Sequence, residues 1–152
     1  MTRRAWRIVK ERHSSNAFDG EGARLYGGRW NSRGNRMVYA SATLSLAALE
    51  SLVHLVPPIS FRFVAFRLEF DEALVETLPL SALPSDWTEE PPSRATQDLG
   101  DRWIRESRSV VLEVPSVLIP GESNYLINPG HPEFRSLGIG PAEAFPFNPR
   151  LL

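Results

Sequence analysis

Residues 36–56 read RMVYASATLSLAALESLVHLV, and Pro57-Pro58 follows at once. From Arg36 to Ser41 the side chains alternate, Met37 and Tyr39 to one face and Val38 and Ala40 to the other, which predicts a short strand. Thr43 then supplies a hydroxyl able to cap a helix. That helix is predicted from Leu44 to about Val56, where two prolines stop it. Eight of the twelve residues from Leu44 to Leu55 are Leu, Ala or Val, spread nearly all round the helical wheel, so burial on most sides is expected.

Working outward, Ala5–Val9 alternates as a first strand. Residues 13–35 hold five glycines with several Ser, Asn and Asp and no periodicity, and read as one long loop. A loop of that length in a compact domain is usually functional or disordered. Downstream, Phe61–Phe70 is a strand apolar on both faces and therefore central. Residues 79–95, rich in Pro, Ser and acid, read as a surface connection. Thr96–Glu106 predicts a helix with Leu99, Trp103 and Arg102 along one side. Ser109–Val114 is a strand closed by Pro115, and Tyr125–Ile127 a short one before the turn Asn128-Pro129-Gly130. Strands and helices mix without βαβ regularity, so the fold class is α+β. No repeat or internal boundary divides the chain, and residues 1–152 are expected to form a single domain.

With 42% hydrophobic and 23% charged residues the composition is that of a globular protein. No window approaches the roughly 20 apolar residues of a membrane span. The start MTRRAWRIVKER has no apolar core of a secretory signal, so a cytoplasmic location is expected. The absence of cysteine excludes disulfides, thiolate zinc and a thiol nucleophile. Residues 1–36 carry nine basic and three acidic side chains, against eight and fifteen in the remainder. Sixteen of the seventeen cations are arginine, whose planar fork suits carboxylate or phosphate. The N-terminal quarter is thus expected to present a positive surface to an anionic ligand or acidic partner. The overall charge of −1 argues against direct nucleic-acid binding.

Candidate chemistry gathers around the first loop. Gly27–Gly34, GGRWNSRG, sets an arginine and a tryptophan among turn formers that need neither. Glu50 has Leu46, Leu49 and Val53 as helical neighbours. It either sits on a wet edge beside His54 or is a carboxylate fixed at a cleft wall. Tyr39 fits a core position as well as a catalytic one. Ser116, after Pro115, is placed at an exposed strand end where its hydroxyl can reach a ligand. There is no G-x-S-x-G elbow, no histidine pair at metal-ligand spacing, and Gly20-Glu21-Gly22 fails the dinucleotide fingerprint. No metal is expected. Asn124–Pro132 reads as a strand and turn, with His131 at the surface. The residues by themselves lead to an arginine loop, a strand tyrosine and a helix glutamate around a cleft for an anion.

The series GGRWNSRG, MVYAS, LSLAALESLVH, VPS and NYLINPGHP, in that order from Trp6 to Pro132, resembles the RES-domain family. That family is named for its Arg, Glu and Ser and comprises toxins of bacterial toxin–antitoxin pairs. The resemblance implies a split antiparallel β core with flanking helices, similar to the ADP-ribosyltransferase toxins. It also implies consumption of NAD+ at the nicotinamide–ribose bond by hydrolysis or phosphorolysis, with inorganic phosphate as possible co-substrate, or transfer of ADP-ribose to a protein. A third outcome is a non-catalytic module on the same fold. Residue by residue, Arg29, Tyr39, Glu50 and Ser116 match the family's functional positions. Arg7 resembles its N-terminal arginine, and Asn31 joins Arg7, Arg29, Tyr39 and Ser116 as an expected NAD+ contact. The implied partner is an Xre-like antitoxin that covers the site.

Overall fold

The computed structural model describes residues 1–152. The strands are β1 (Thr2–Lys10), β2 (Val38–Ser41), β3 (Phe63–Asp71), β4 (Val75–Thr77), β5 (Val111–Pro115), β6 (Ser123–Ile127), β7 (Gly138–Ile139) and β8 (Glu143–Ala144), and the helices are α1 (Glu21–Tyr26), α2 (Leu44–Leu52) and α3 (Arg94–Glu106). They build one eight-stranded sheet in the order β4-β5-β6-β2-β1-β3-β7, with β8 also on β3. Every pairing is antiparallel except β4 with β5. The expected α+β class with an antiparallel core is what the chain forms.

Alternation in β2, β5 and β6 divides the core. Val38, Ala40, Val111, Tyr125 and Ile127 pack with Ala5, Leu68 and Phe70. On the opposite face Met37, Leu112, Val114 and Leu126 pack with Trp30 and Trp103. Helix α3 supplies Trp103, which is fully buried and donates its indole N–H to Ser109 at 2.8 Å. Ser93 caps the start of that helix by accepting from the Thr96 amide. Arg102 is exposed, so it is not part of the packed side. Strand β3 has Phe63–Phe66, Leu68 and Phe70 buried, as its two apolar faces predict. Its outer neighbours are only the two-residue strands β7 and β8.

The join between β1 and β2 positions the site. β1 runs in register with β3 from Thr2↔Asp71 to Lys10↔Phe63, whereas it meets β2 at the single pair Trp6↔Ser41. Beyond that pair the two strands part.

Two expectations are revised. Helix α2 starts at the Thr43 cap but ends at Leu52, with only Leu46, Ala47 and Ala48 buried; Leu49 and Val53 are exposed. It packs on β1 and β2 by one side, and its outer apolar residues carry no signal of what lies beyond them. Residues 13–35 are not one loop, because a 3-10 turn at Glu11–Asn16 and α1 interrupt them. A six-residue helix is too short to show a period, yet the Asp19 carboxylate accepts from the Glu21 amide and Glu21 pairs with Arg24.

Candidate active site

Where β1 and β2 part, a cleft of about 1220 Å³ opens. Arg7, Arg29, Tyr39, Glu50 and Asn124 all reach its wall. Arg7 leaves β1 and donates Nε–H to the Ala17 carbonyl (2.8 Å) and Nη1–H to the Tyr39 carbonyl (2.9 Å), a β2 group that β1 does not pair. No carboxylate lies within ion-pair distance of it. Burial lowers its pKa to about 10, with Asp19 partly offsetting the loss, so it stays charged at neutral pH. A partly dehydrated arginine whose Nη2 has no protein partner is well suited to an anion.

The loop that carries Arg29 is held from inside. Asn31, fully buried, directs its amide N–H groups at the carbonyls of Ala23, Ser32 and Asn35 and accepts the Tyr39 hydroxyl at 2.5 Å. The same hydroxyl accepts the Trp30 amide at 3.2 Å. A Cβ on Gly28 would stand 2.6 Å from the Tyr39 oxygen, so only glycine allows the phenol this close. Helix α3 grips the loop from the other side. Asp101 accepts from the Ser32 amide (3.0 Å) and hydroxyl (2.6 Å), and Gln97 donates to the Gly28 carbonyl (3.0 Å). Trp30 is 2% exposed and anchors the loop in the core. Burial pushes the Tyr39 phenol well above the ordinary tyrosine range, beyond what the Trp30 amide recovers, so it is a neutral donor and not a base.

Arg29 is largely occupied. Its Nη1 donates to the carbonyls of Trp87 (3.0 Å) and Glu89 (2.8 Å), and its Nη2 to the Glu90 carboxylate at 2.7 Å. The segment read as a plain surface connection therefore contributes a wall of the cleft, tied to the Arg29 loop by this guanidinium and by the packing of Trp87 on Trp30.

Glu50 is half-buried on α2. Its Oε1 accepts from the Ser116 hydroxyl (2.9 Å) and the Asn124 amide (3.0 Å), while Oε2 takes no hydrogen bond from the protein. Both donors are themselves fixed. Ser116 accepts from the amides of Leu118 and Ile119, and the side-chain Oδ1 of Asn124 accepts from the Ser41 hydroxyl at 2.7 Å. Such a network sets the carboxylate in one orientation with one oxygen available.

The structure thus gathers Arg7, Arg29, Tyr39 and Glu50 around one cleft. It places Ser116 and Asn31 behind that wall. Ser116 is 3% exposed, not at an exposed strand end, because its hydroxyl closes the turn after β5 and serves Glu50. Asn31 spends its amide on the loop and on Tyr39. Asn124, Gln97, Asp101 and Trp87–Glu90 have roles the sequence reading did not assign them. Asn124 lay in a quoted motif but read as plain strand; the others need a fold to meet their partners. His131 is buried and holds the turn after it, accepting from the Glu133 amide. No group of three or more His, Asp or Glu side chains is disposed to hold a metal ion, and no helix is long and apolar enough to cross a membrane.

The comparison with known families decides the kinship, because the RES domain matches residues 4–148. The chain belongs to the RES-domain family. It is 36% identical over 148 residues to a "Toxin Res" of Yersinia enterocolitica, covering 96% of this chain and 97% of that one. It is also 36% identical over 159 residues to a "Prs ADP-ribosylating toxin" of a Sphingobium strain, covering 100% and 98%. Among solved structures it is similar to the M. tuberculosis MbcT–MbcA toxin–antitoxin complex, with a TM-score of 0.75 at 16% identity over 95% of this chain and 85% of that one. That last likeness speaks for the fold of this RES-domain chain.

Proposed function

We propose that this RES toxin degrades NAD+ by breaking the bond between nicotinamide and ribose. The observation that carries the reading is Glu50: a carboxylate on a rigid helix, one oxygen tied by Ser116 and Asn124, the other free, in a cleft that also holds two arginines. As the C1′–N bond breaks, its electron pair passes to the nicotinamide nitrogen and positive charge grows on the ribose. A preorganised carboxylate stabilises that charge, an effect commonly worth about 3–4 kcal/mol. Arg7 and Arg29 take the pyrophosphate oxygens. Water or inorganic phosphate then bonds to C1′; with water the released proton passes to solvent. Tyr39 shapes the wall and keeps the Arg29 loop in place, and Ser116 acts through Glu50.

The alternative is transfer of ADP-ribose to a protein, favoured by the name of the Sphingobium relative. Labelled NAD+ separates the readings. Label in ADP-ribose or its 1″-phosphate supports degradation, label in a macromolecule supports transfer, and intact NAD+ supports a non-catalytic module. An enzyme of this kind needs restraint in its own cell, and an Xre-like antitoxin that covers the cleft supplies it. Leu25, Tyr26 and Val53 are exposed at the cleft margin and offer such a partner an apolar rim.

A further inference from the structure

We propose that Glu90 is a built-in competitor for the anionic group of the substrate, its carboxylate holding on Arg29 the place that a phosphate oxygen takes. The inference rests on the reading of the cleft as a site for a pyrophosphate-bearing ligand and concerns how that site is regulated.

Arg29 uses its donors in two distinct ways. Nη1 is committed to two main-chain carbonyls, Trp87 and Glu89, which no ligand can displace without moving the segment. Nη2 faces a side chain, and a side chain can swing away. The two ends of this ion pair differ sharply: the Arg29 side chain is 17% exposed and that of Glu90 is 73% exposed. Glu90 makes no other hydrogen bond or ion pair, so it has nothing to lose but Arg29 on leaving. Both residues line the cleft, together with Thr88 and Pro91. A carboxylate oxygen 2.7 Å from a guanidinium nitrogen has the charge and geometry of a phosphate oxygen at the same donor. Arg7, the other cleft arginine, has no such counter-ion. An anion entering the cleft thus meets one cation that is open and one that is screened by the protein itself. Displacing Glu90 moves its carboxylate from Arg29 to water, a small cost because the Glu90 end of the pair already lies mostly in solvent. Exposed pairs are coupled weakly, which corresponds to about a 1.5-fold to fivefold effect on anion affinity.

The test uses the full-length protein and inorganic pyrophosphate, titrated by calorimetry, with NAD+ turnover measured in parallel. E90Q keeps the size of the side chain and removes its charge. It is expected to bind pyrophosphate about 1.5-fold to fivefold more tightly than the unmodified chain, E90A likewise, with the gain shrinking as salt rises. R29K should erase the gain, because the competition is for the guanidinium fork. Where NAD+ is consumed, E90Q should lower KM and leave kcat unchanged. Equal or weaker pyrophosphate binding in E90Q and E90A overturns the proposal. Tighter binding without any NAD+ turnover upholds the competitor and instead sinks the proposed reaction.

Discussion

Gly100→Ala in α3 tests how the Arg29 loop is held. In a helix interior this exchange ordinarily stabilises by about 1 kcal/mol. Here the added Cβ would stand 1.8 Å from the Trp30 carbonyl oxygen, 2.8 Å from its carbon and 3.1 Å from the Met37 methyl. A carbon and a carbonyl oxygen normally approach no closer than about 3.3 Å, so helix and loop must separate by roughly 1.5 Å. Neither side yields easily. Trp30 and Met37 are 2% and 1% exposed, and the neighbouring Asp101 ties α3 to Ser32. Overpacking of this sort costs about 3 kcal/mol at the upper end of its usual range. Set against the helix gain, the net loss is about 2 kcal/mol, a fall in Tm of about 4–8 °C for a chain of this size. Thermal melts followed by circular dichroism read it directly. Gly22→Ala is the control, since nothing lies within 4 Å of a Cβ there, and it should not lower Tm. A shift of the loop near 1 Å should also cut turnover by up to about a hundredfold. A Tm for G100A equal to or above that of the unmodified chain refutes the packing of α3 on Trp30.

Tyr39→Phe removes the hydroxyl that joins Asn31 to the Trp30 amide and should cost about 1–3 kcal/mol in urea unfolding; Tyr26→Phe, at a residue 78% exposed, should cost less than about 0.5 kcal/mol. Asn124→Ala frees Glu50 from one of its two donors and leaves the buried Ser41 hydroxyl without its acceptor, so kcat should fall roughly tenfold to a hundredfold and urea unfolding should show a loss of about 1–3 kcal/mol. Glu113 gives a pH signature. Burial alone would raise its pKa, but hydrogen bonds from Ser123, Arg3 and Thr77 outweigh it and hold the carboxyl below its ordinary value. Its stabilising effect is therefore present above the unfolded value of about 4.3 and is lost as pH falls through the folded one. E113Q should be less stable at pH 7, and its deficit should shrink as pH falls from the unfolded value through the lower folded one, as denaturant midpoints across pH would show.

Much of the fold was legible because it rests on local chemistry. The Met37/Tyr39 and Val38/Ala40 alternation, the Thr43 cap and the apolar faces of Phe63–Phe70 each point to one structure. The limits of α2 were not legible, since an apolar residue on its outer side looks the same in sequence as one in the core. For the site, Arg29, Tyr39 and Glu50 could be named before their meeting was visible. Ser116 was misplaced because its burial depends on a turn whose amides point back at its own hydroxyl. Asn124 meets Glu50 across 74 positions of chain, and Asp101 meets Ser32 across 69. Such pairings belong to topology, which a motif does not contain. The grip of Arg29 on Trp87 and Glu89 uses carbonyls, which every residue has and no sequence pattern marks.

The proposed cleavage of NAD+ turns on Glu50. Purified protein incubated with NAD+, with and without phosphate, and resolved by chromatography should release nicotinamide with ADP-ribose or its 1″-phosphate. Glu50→Gln should keep its circular dichroism spectrum and its melt yet lose at least about a hundredfold of that rate. Nicotinamide release by Glu50→Gln at the rate of the unmodified chain would contradict it.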